Sequence, residues 1–191
     1  MIMVQNISAE EALTKLKNGN KLYLNAKTPI GNISQQIRLK TKEFGQHPYA
    51  IIITCSDSRV IPESIFSAGI GDLFVIRVAG NVIDDHQLGS IEYAADHLGC
   101  RLVLVLGHTF CGAVNAAIHH DPDGYIKFIT DEIGLAIGDE TDDYEACCLN
   151  IKRSVSLIEE NIDIQHMEED DGLRVMGAIY HIENGNVEYI I

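Results

Sequence analysis

Residues 101–114, RLVLVLGHTFCGAV, join a short apolar run to two side chains of the kinds that bind metals. The run Arg101–Leu106 is almost continuously aliphatic, which is typical of a strand that is covered on both faces of a sheet. His108 and Cys111 follow the run, and a glycine stands on either side of the pair. The stretch therefore predicts a buried strand that ends at a candidate metal site, with a helix beginning after Cys111.

Other apolar runs along the chain predict the remaining strands of the same sheet. They are Tyr49–Thr54, Leu73–Val78 and Leu173–Ile182. Helical periodicity separates them, in Ser90–Leu98 and in a longer segment from Tyr144 to Ile158. Asn184-Gly185 divides the last apolar residues into two arms, which is a strong β-hairpin signal. This alternation predicts an α/β fold with a mostly parallel central sheet, flanking helices and a C-terminal antiparallel hairpin strand.

The amino-terminal region predicts helical structure before the first strand. Ser8 and Glu11 have the spacing of a capping box, so a helix should begin there. We expect Asn18–Asn20 to break this helix and a second short helix to follow. These elements form an amino-terminal helical arm, about residues 8–27, of a single domain that spans residues 1–191.

Composition and charge exclude several classes of function. The net charge of −14 disfavours nucleic acid and anionic lipid as partners. No stretch has the ~20 apolar residues that a membrane span needs. The first residues lack the basic start and apolar block of a secretory signal, so we expect a cytoplasmic protein. The odd count of 5 cysteines argues against a disulfide framework and favours buried thiols or metal ligands.

A second strand end brings a third candidate ligand to the same point. Cys55 directly follows the predicted strand Tyr49–Thr54, and neighbouring strands lie ~5 Å apart. Ligands in open α/β sheets gather at the carboxyl ends of strands, so Cys55, His108 and Cys111 can meet there. Two thiolates and one imidazole suit zinc and leave a fourth tetrahedral position. That position belongs either to Asp57 or to water.

Two adjacent histidines and the three other cysteines are expected to serve packing. His119-His120, Cys100 and Cys147-Cys148 lie on or beside predicted helix faces. Such residues are more often buried thiols, or imidazoles bonded to a backbone carbonyl, than metal ligands.

Asp57 and Arg59 stand two residues apart, immediately after Cys55. A carboxylate and a guanidinium at this spacing can form a bidentate pair. In an ordinary loop this would be a simple salt bridge. Beside a candidate zinc ligand, Arg59 can instead hold Asp57 away from the metal, and Asp57 can then orient a zinc-bound water or accept its proton.

Four motifs together resemble the β-class carbonic anhydrases. They are CSDSRV (Cys55–Val60), GDLFVIRVAGN (Gly71–Asn81), GSIEYAADHLG (Gly89–Gly99) and GHTFCGAV (Gly107–Val114). Their order and spacing also fit that family, and the combination of CSDSR with GHxxCG is highly specific. The resemblance implies that Cys55, His108 and Cys111 bind one Zn²⁺ per chain. It also implies that Asp57 and Arg59 form the catalytic dyad.

The plant-type branch of that family implies further site residues. Gln46 matches a glutamine that hydrogen-bonds the substrate, and Phe74 and Tyr93 match apolar pocket positions. Similar family members are dimers or larger assemblies that share these residues across the interface, so we expect a homodimer or homotetramer. Ile52 stands where another branch has a tryptophan linked to an inhibitory bicarbonate site, so that site is not expected. Val78 replaces a residue that is usually polar in the family.

The leading interpretation is a zinc lyase that reversibly hydrates CO2 to bicarbonate and a proton, by attack of zinc-bound hydroxide on CO2. One alternative keeps the site but hydrolyses carbon disulfide or carbonyl sulfide. Another is a non-catalytic zinc protein with Asp57 as a structural fourth ligand. A nucleotide-binding module is disfavoured, because its only suitable glycine pair, Gly69 and Gly71, precedes a strand instead of opening a helix after one.

Overall fold

The computed structural model describes residues 6–119 and 124–191. The strands are β1 (Ala50–Thr54), β2 (Leu73–Arg77), β3 (Leu102–His108), β4 (Arg174–Tyr180) and β5 (Val187–Tyr189). The helices are α1 (Ala9–Asn25), α2 (Gln35–Phe44), α3 (Pro62–Ile65), α4 (Asp85–Glu92), α5 (Gly112–Ile118), α6 (Ile126–Ile137), α7 (Asp143–Glu159) and α8 (Ile162–Asp171). The predicted α/β class is confirmed.

The strands form one sheet in the order β2-β1-β3-β4-β5. The first four strands are parallel, and β5 returns antiparallel to β4 through the predicted hairpin. Thr54, the last residue of β1, pairs with Leu106 of β3 and with Arg77 of β2. The carboxyl ends of these three strands therefore lie side by side, which brings Cys55 next to the end of β3.

The core occupies both faces of the sheet, as the continuous apolar runs predict. Every residue of β1 and β3 is buried. One face of these strands packs with the buried side of α7, and the other packs with α1 and α3. Within residues 6–119 and 124–191, no helix combines the length and apolar character needed to cross a membrane.

The predicted capping box at the start of α1 is confirmed. The Ser8 hydroxyl accepts a hydrogen bond from the Glu11 amide at 3.2 Å, and the Glu11 carboxylate accepts one from the Ser8 amide at 3.0 Å. Two of the amide groups that lack partners at a helix start are thereby satisfied.

The predicted helix break at Asn18–Asn20 is wrong, because α1 is continuous through it. Asn20 is buried, and its side-chain amide donates to the carbonyls of Ile65 and Gly185 at 3.3 and 3.0 Å. Its oxygen accepts from the amide of Val187 at 3.2 Å. These tertiary hydrogen bonds outweigh the weak helix propensity of asparagine.

The helix predicted at Ser90–Leu98 begins earlier and changes its winding. Asp84 and Gln87 form a capping box that starts α4. A π-helical turn over Tyr93–His97 continues the chain, and Gly99, with φ of 69°, ends it. Helices α2, α3, α6 and α8 are not predicted from the sequence.

Candidate metal centre

Cys55, His108 and Cys111 converge at the carboxyl end of the sheet. Cys55 follows β1, His108 is the last residue of β3, and Cys111 directly precedes α5. All three are buried, and their ligand atoms lie within 4.8 Å of one another. The structure therefore brings together the three metal ligands predicted from the sequence.

The His108 ring is oriented for metal binding. Its Nδ1 lies 2.9 Å from the Thr109 carbonyl oxygen. A carbonyl can only accept, so Nδ1 carries a proton, and in the neutral ring the lone pair is on Nε2. Nε2 is buried and has no hydrogen-bond partner among the residues that the structure describes. A buried acceptor of this kind is costly unless a metal or a donor satisfies it.

The sulfur positions fit a tetrahedral zinc ion. The Sγ atoms of Cys55 and Cys111 lie 4.0 Å apart, and both are free thiols. Two sulfur ligands bound tetrahedrally at about 2.3 Å would lie ~3.8 Å apart. Both residues can thus bind one ion with little movement of the backbone.

The two thiols differ in how readily they ionise. A hydrogen bond from Cys111 is the largest effect that lowers the pKa of Cys55 to about 4, and the Gly80 amide also favours its thiolate. The same contact with Cys55 raises the pKa of Cys111. The Gly80 amide lies 3.3 Å from the Cys55 sulfur, at a φ of 68° that favours glycine. The contact between the two sulfurs therefore favours the thiolate of Cys55 over that of Cys111, and metal binding would displace the proton of Cys111.

Asp57 and Arg59 form the predicted bidentate pair. Arg59 Nε lies 3.0 Å from Asp57 Oδ1, and Nη2 lies 2.7 Å from Oδ2. This side-chain contact lowers the pKa of Asp57 to about 2, so the carboxylate is ionised. Asp57 Oδ2 also lies 4.0 Å from His108 Nε2. The carboxylate thus borders the metal centre while both of its oxygens are bound to Arg59.

Arg77 organises the same loop, and sequence reasoning did not single it out. Its Nε donates to the Cys55 carbonyl at 3.1 Å, and Nη2 donates to the carbonyls of Asp57 and Val60 at 2.7 and 3.0 Å. The available signal was its place at the end of β2, level with Thr54 at the end of β1. One guanidinium therefore fixes the backbone that carries both a candidate metal ligand, Cys55, and the carboxylate of Asp57.

The loop between His108 and Cys111 is held from three sides. The Phe110 carbonyl accepts from Arg59 Nη2 at 3.0 Å, and its amide donates to Asp143 Oδ2 at 2.9 Å. The Thr109 hydroxyl donates to Glu183 at 3.0 Å. Phe110 has a φ of 56°, which is uncommon for a residue with a side chain. These contacts maintain a strained turn next to the ligands.

Gln46, Phe74 and Tyr93 do not join the metal centre within one chain. Gln46 is exposed and precedes the amino end of β1. Phe74 pairs with Ile51 near the beginning of β1 and contacts Tyr93, with ring centroids 6.1 Å apart. Ile51 precedes Cys55 by four residues, or roughly 13 Å of extended strand.

Tyr93 also borders a cleft of about 540 Å³ beside the π-helical turn. His97, Asp163 and His166 contribute to its lining, whereas Cys55, His108 and Cys111 do not. This cleft is therefore separate from the candidate metal centre.

The remaining cysteines and His119 behave as predicted. Cys100, Cys147 and Cys148 are buried free thiols outside the metal centre. The Nδ1 atom of His119 lies 2.8 Å from the Asn115 carbonyl. His120 lies outside the described residues.

Comparisons with known proteins agree with the motifs. The family model described as "Carbonic anhydrase" matches residues 50–187. Carbonic anhydrase 2 of Mycobacterium tuberculosis is 36% identical, and the match covers 94% of this chain and 92% of that protein. The β-carbonic anhydrase CafA of Aspergillus fumigatus aligns with a TM-score of 0.73 at 28% identity, over 95% of this chain and 89% of that one. One of two tetrameric β-carbonic anhydrases of Sordaria macrospora aligns with a TM-score of 0.71 at 24% identity, over 81% and 91%.

The fold is that of the β-class enzymes, with the candidate ligands at the ends of its central strands. The chain belongs to the carbonic anhydrase family.

Proposed function

We propose that this protein catalyses the reversible hydration of CO2 to bicarbonate and a proton at a zinc ion held by Cys55, His108 and Cys111. One observation carries the proposal. Three buried ligands of the right type converge, and beside them stands a carboxylate whose two oxygens are bound to Arg59. Three protein ligands with an open fourth position are typical of catalytic zinc.

Zinc bound there would lower the pKa of a coordinated water and supply hydroxide near neutral pH. Asp57 would orient the nucleophile. Its Oδ2 would accept a hydrogen bond from the hydroxide and so orient it toward CO2. Arg59 carries a permanent charge and keeps Asp57 ionised and directed away from the metal.

The non-catalytic alternative, with Asp57 as a fourth ligand, is less well supported. Coordination would require Asp57 to give up at least one of its hydrogen bonds to the Arg59 side chain. A purely structural site has no use for a guanidinium that competes with the metal.

We further propose that the active form is a homodimer or homotetramer in which Gln46, Phe74 and Tyr93 serve the site of another copy. Gln46 and Phe74 lie at the amino ends of β1 and β2, so they can reach a metal centre only if it belongs to a second chain. Helix α2 has no buried residue, and its apolar side chains Leu39 and Phe44 are 57% and 63% exposed. A second copy that covers this helix would explain its apolar surface.

The proposed function is tested by metal analysis and rate measurement on one preparation. The protein is stripped with a chelator, reloaded with zinc, and assayed with CO2, carbonyl sulfide and carbon disulfide side by side. We expect about one zinc per chain, and CO2 hydration that is lost and recovered with the metal. Full activity of the stripped protein would refute the proposal, and turnover of only the sulfur compounds would favour the hydrolase alternative.

A further inference from the structure

The peptide group between Thr109 and Phe110 links His108, a candidate metal ligand at the end of β3, to the carboxylate of Asp143 in α7. Its carbonyl oxygen accepts from His108 Nδ1 at 2.9 Å. Its amide, on Phe110, donates to Asp143 Oδ2 at 2.9 Å. The two hydrogen bonds are therefore on opposite ends of one conjugated group.

We propose that Asp143 is a positioning residue of the metal centre, acting on His108 through the Thr109–Phe110 peptide. Metal-bound histidines commonly donate their second ring nitrogen to a carboxylate or a carbonyl, which fixes the ring and makes the ligand nitrogen more basic. Here the chain combines both arrangements. The carboxylate of Asp143 polarises the peptide, and the polarised carbonyl becomes a stronger acceptor for the imidazole Nδ1–H.

Asp143 is held where this effect requires it. It is the first residue of α7, where the helix dipole favours a negative charge. Helix α7 packs against β3, the strand that ends in His108. The carboxylate and the imidazole are thus fixed by two elements of the same core.

A second carboxylate, Glu183, binds the same loop. It allows polarisation of the Thr109–Phe110 peptide to be distinguished from mechanical anchoring of the loop. Glu183 binds the Thr109 hydroxyl, which is a side-chain group outside the conjugated peptide. Loss of Glu183 would loosen the loop without changing the charge at the Phe110 amide. Asp143 and Glu183 thus bind neighbouring residues of one loop, but only the loss of Asp143 should change the polarisation of the peptide.

The first test is the zinc dissociation constant, measured by chelator competition. Asp143→Asn keeps the size of the side chain but removes its charge, and it should weaken zinc binding roughly 10-fold. Glu145→Gln removes a charge from the same helix turn without touching the loop, and it should leave the constant unchanged. An unchanged constant for Asp143→Asn, or an equal loss in Asp143→Asn and Glu183→Gln, would overturn the proposal.

The second test is spectroscopic and does not depend on catalysis. In the zinc-loaded protein, the Nδ1–H proton of His108 should move upfield in Asp143→Asn and stay in place in Glu183→Gln, because only the first change weakens the peptide carbonyl as an acceptor. In the wild type, the Phe110 amide should be protected from solvent exchange. An amide that exchanges as fast as a free loop amide would overturn the proposal even if Asp143→Asn failed to fold.

This inference rests on the proposed zinc site but not on the substrate. A wild-type protein that binds no zinc would refute the site itself. Unchanged zinc binding and an unmoved His108 resonance in Asp143→Asn would refute only the role of Asp143.

Discussion

The two ends of the sheet carry different parts of the candidate active site. At the carboxyl end, Cys55, His108 and Cys111 converge within one chain. At the amino end, Phe74 stands roughly 13 Å away along the strands, and Gln46 lies before the first residue of β1. A single copy brings together all three candidate ligands at the carboxyl end, whereas Gln46 and Phe74, which match substrate-contact positions in the family, lie at the other end of the strands.

This difference separates two requirements of the chemistry. Metal binding needs ligand atoms fixed a few ångströms apart, which parallel strand ends provide locally. Substrate contacts can come from any rigid surface, including that of another copy. We therefore expect changes at the carboxyl end to affect the metal, and changes at the amino end to affect turnover without affecting the metal.

The largest effect is expected at the carboxyl end. Cys111→Ser replaces a thiolate with a hydroxyl that ionises far less readily, so the protein should lose most of its zinc and all measurable CO2 hydration. Cys100→Ser is the matched control. Cys100 is also buried, but its sulfur donates to the Pro48 carbonyl at 2.9 Å, which a serine hydroxyl can still do. Zinc content by elemental analysis should fall in the first variant only, and a loss in both would contradict a specific ligand role.

Arg59→Ala should retain zinc but lower turnover on the order of 100-fold, the scale of a positioned acid–base group. Without the guanidinium, Asp57 is free to bind the metal and close the fourth position. Arg59→Lys keeps the charge but not the two parallel hydrogen bonds, so it should recover only part of the rate. Stopped-flow CO2 hydration and zinc analysis show whether the Asp57–Arg59 pair is needed for turnover. Near wild-type turnover in Arg59→Ala would mean that the pair is only a loop salt bridge.

At the amino end, Gln46→Ala should lower turnover about 10-fold, the equivalent of one hydrogen bond of about 1.4 kcal/mol. Zinc content should not change. If Gln46 serves the site of its partner, mixed dimers of Gln46→Ala and Arg59→Ala chains contain one intact site each. Random mixing should then restore roughly a quarter of the wild-type rate. Activity equal to the mean of the two parents would mean that Gln46 acts within its own chain or not at all.

The smallest effect concerns the helix beside the amino end of the sheet. Ser8→Ala removes the α1 cap and should lower the free energy of unfolding by about 1 kcal/mol. Denaturant unfolding measures this loss, with Lys21→Ala on the exposed side of α1 as the control. Zinc affinity should be unaffected, and a parallel loss of zinc would show that the two ends are not energetically separate.

The strands and the convergence of Cys55, His108 and Cys111 could be predicted from the sequence because their signals are local. An aliphatic run that stops at Cys55 or at His108 predicts both the strand and the residue at which the strand ends. The capping box at Ser8 and the turn at Asn184-Gly185 likewise lie within a few residues of the features that they predict.

The features that sequence reasoning missed depend on distant partners or on signals that were not used. Continuity of α1 through Asn20 rests on hydrogen bonds to Ile65, Gly185 and Val187. No local propensity encodes such contacts. The start of α4 was available in the spacing of Asp84 and Gln87.

The supporting residues of the site also required the structure. Arg77 acts on carbonyls up to 22 residues earlier in the chain, and Asp143 acts on an amide 33 residues earlier. The partners in both cases are backbone groups. Almost every residue has them, so the sequence does not show which ones a distant side chain will bind.

The most direct test of the central claim is X-ray absorption at the zinc edge on a preparation whose CO2 hydration rate is known. We predict two sulfur neighbours at about 2.3 Å and two lighter neighbours at about 2.0–2.1 Å, in a sample that is active in proportion to its zinc. A shell of three or more sulfurs, or activity that does not follow the zinc content, would contradict the account.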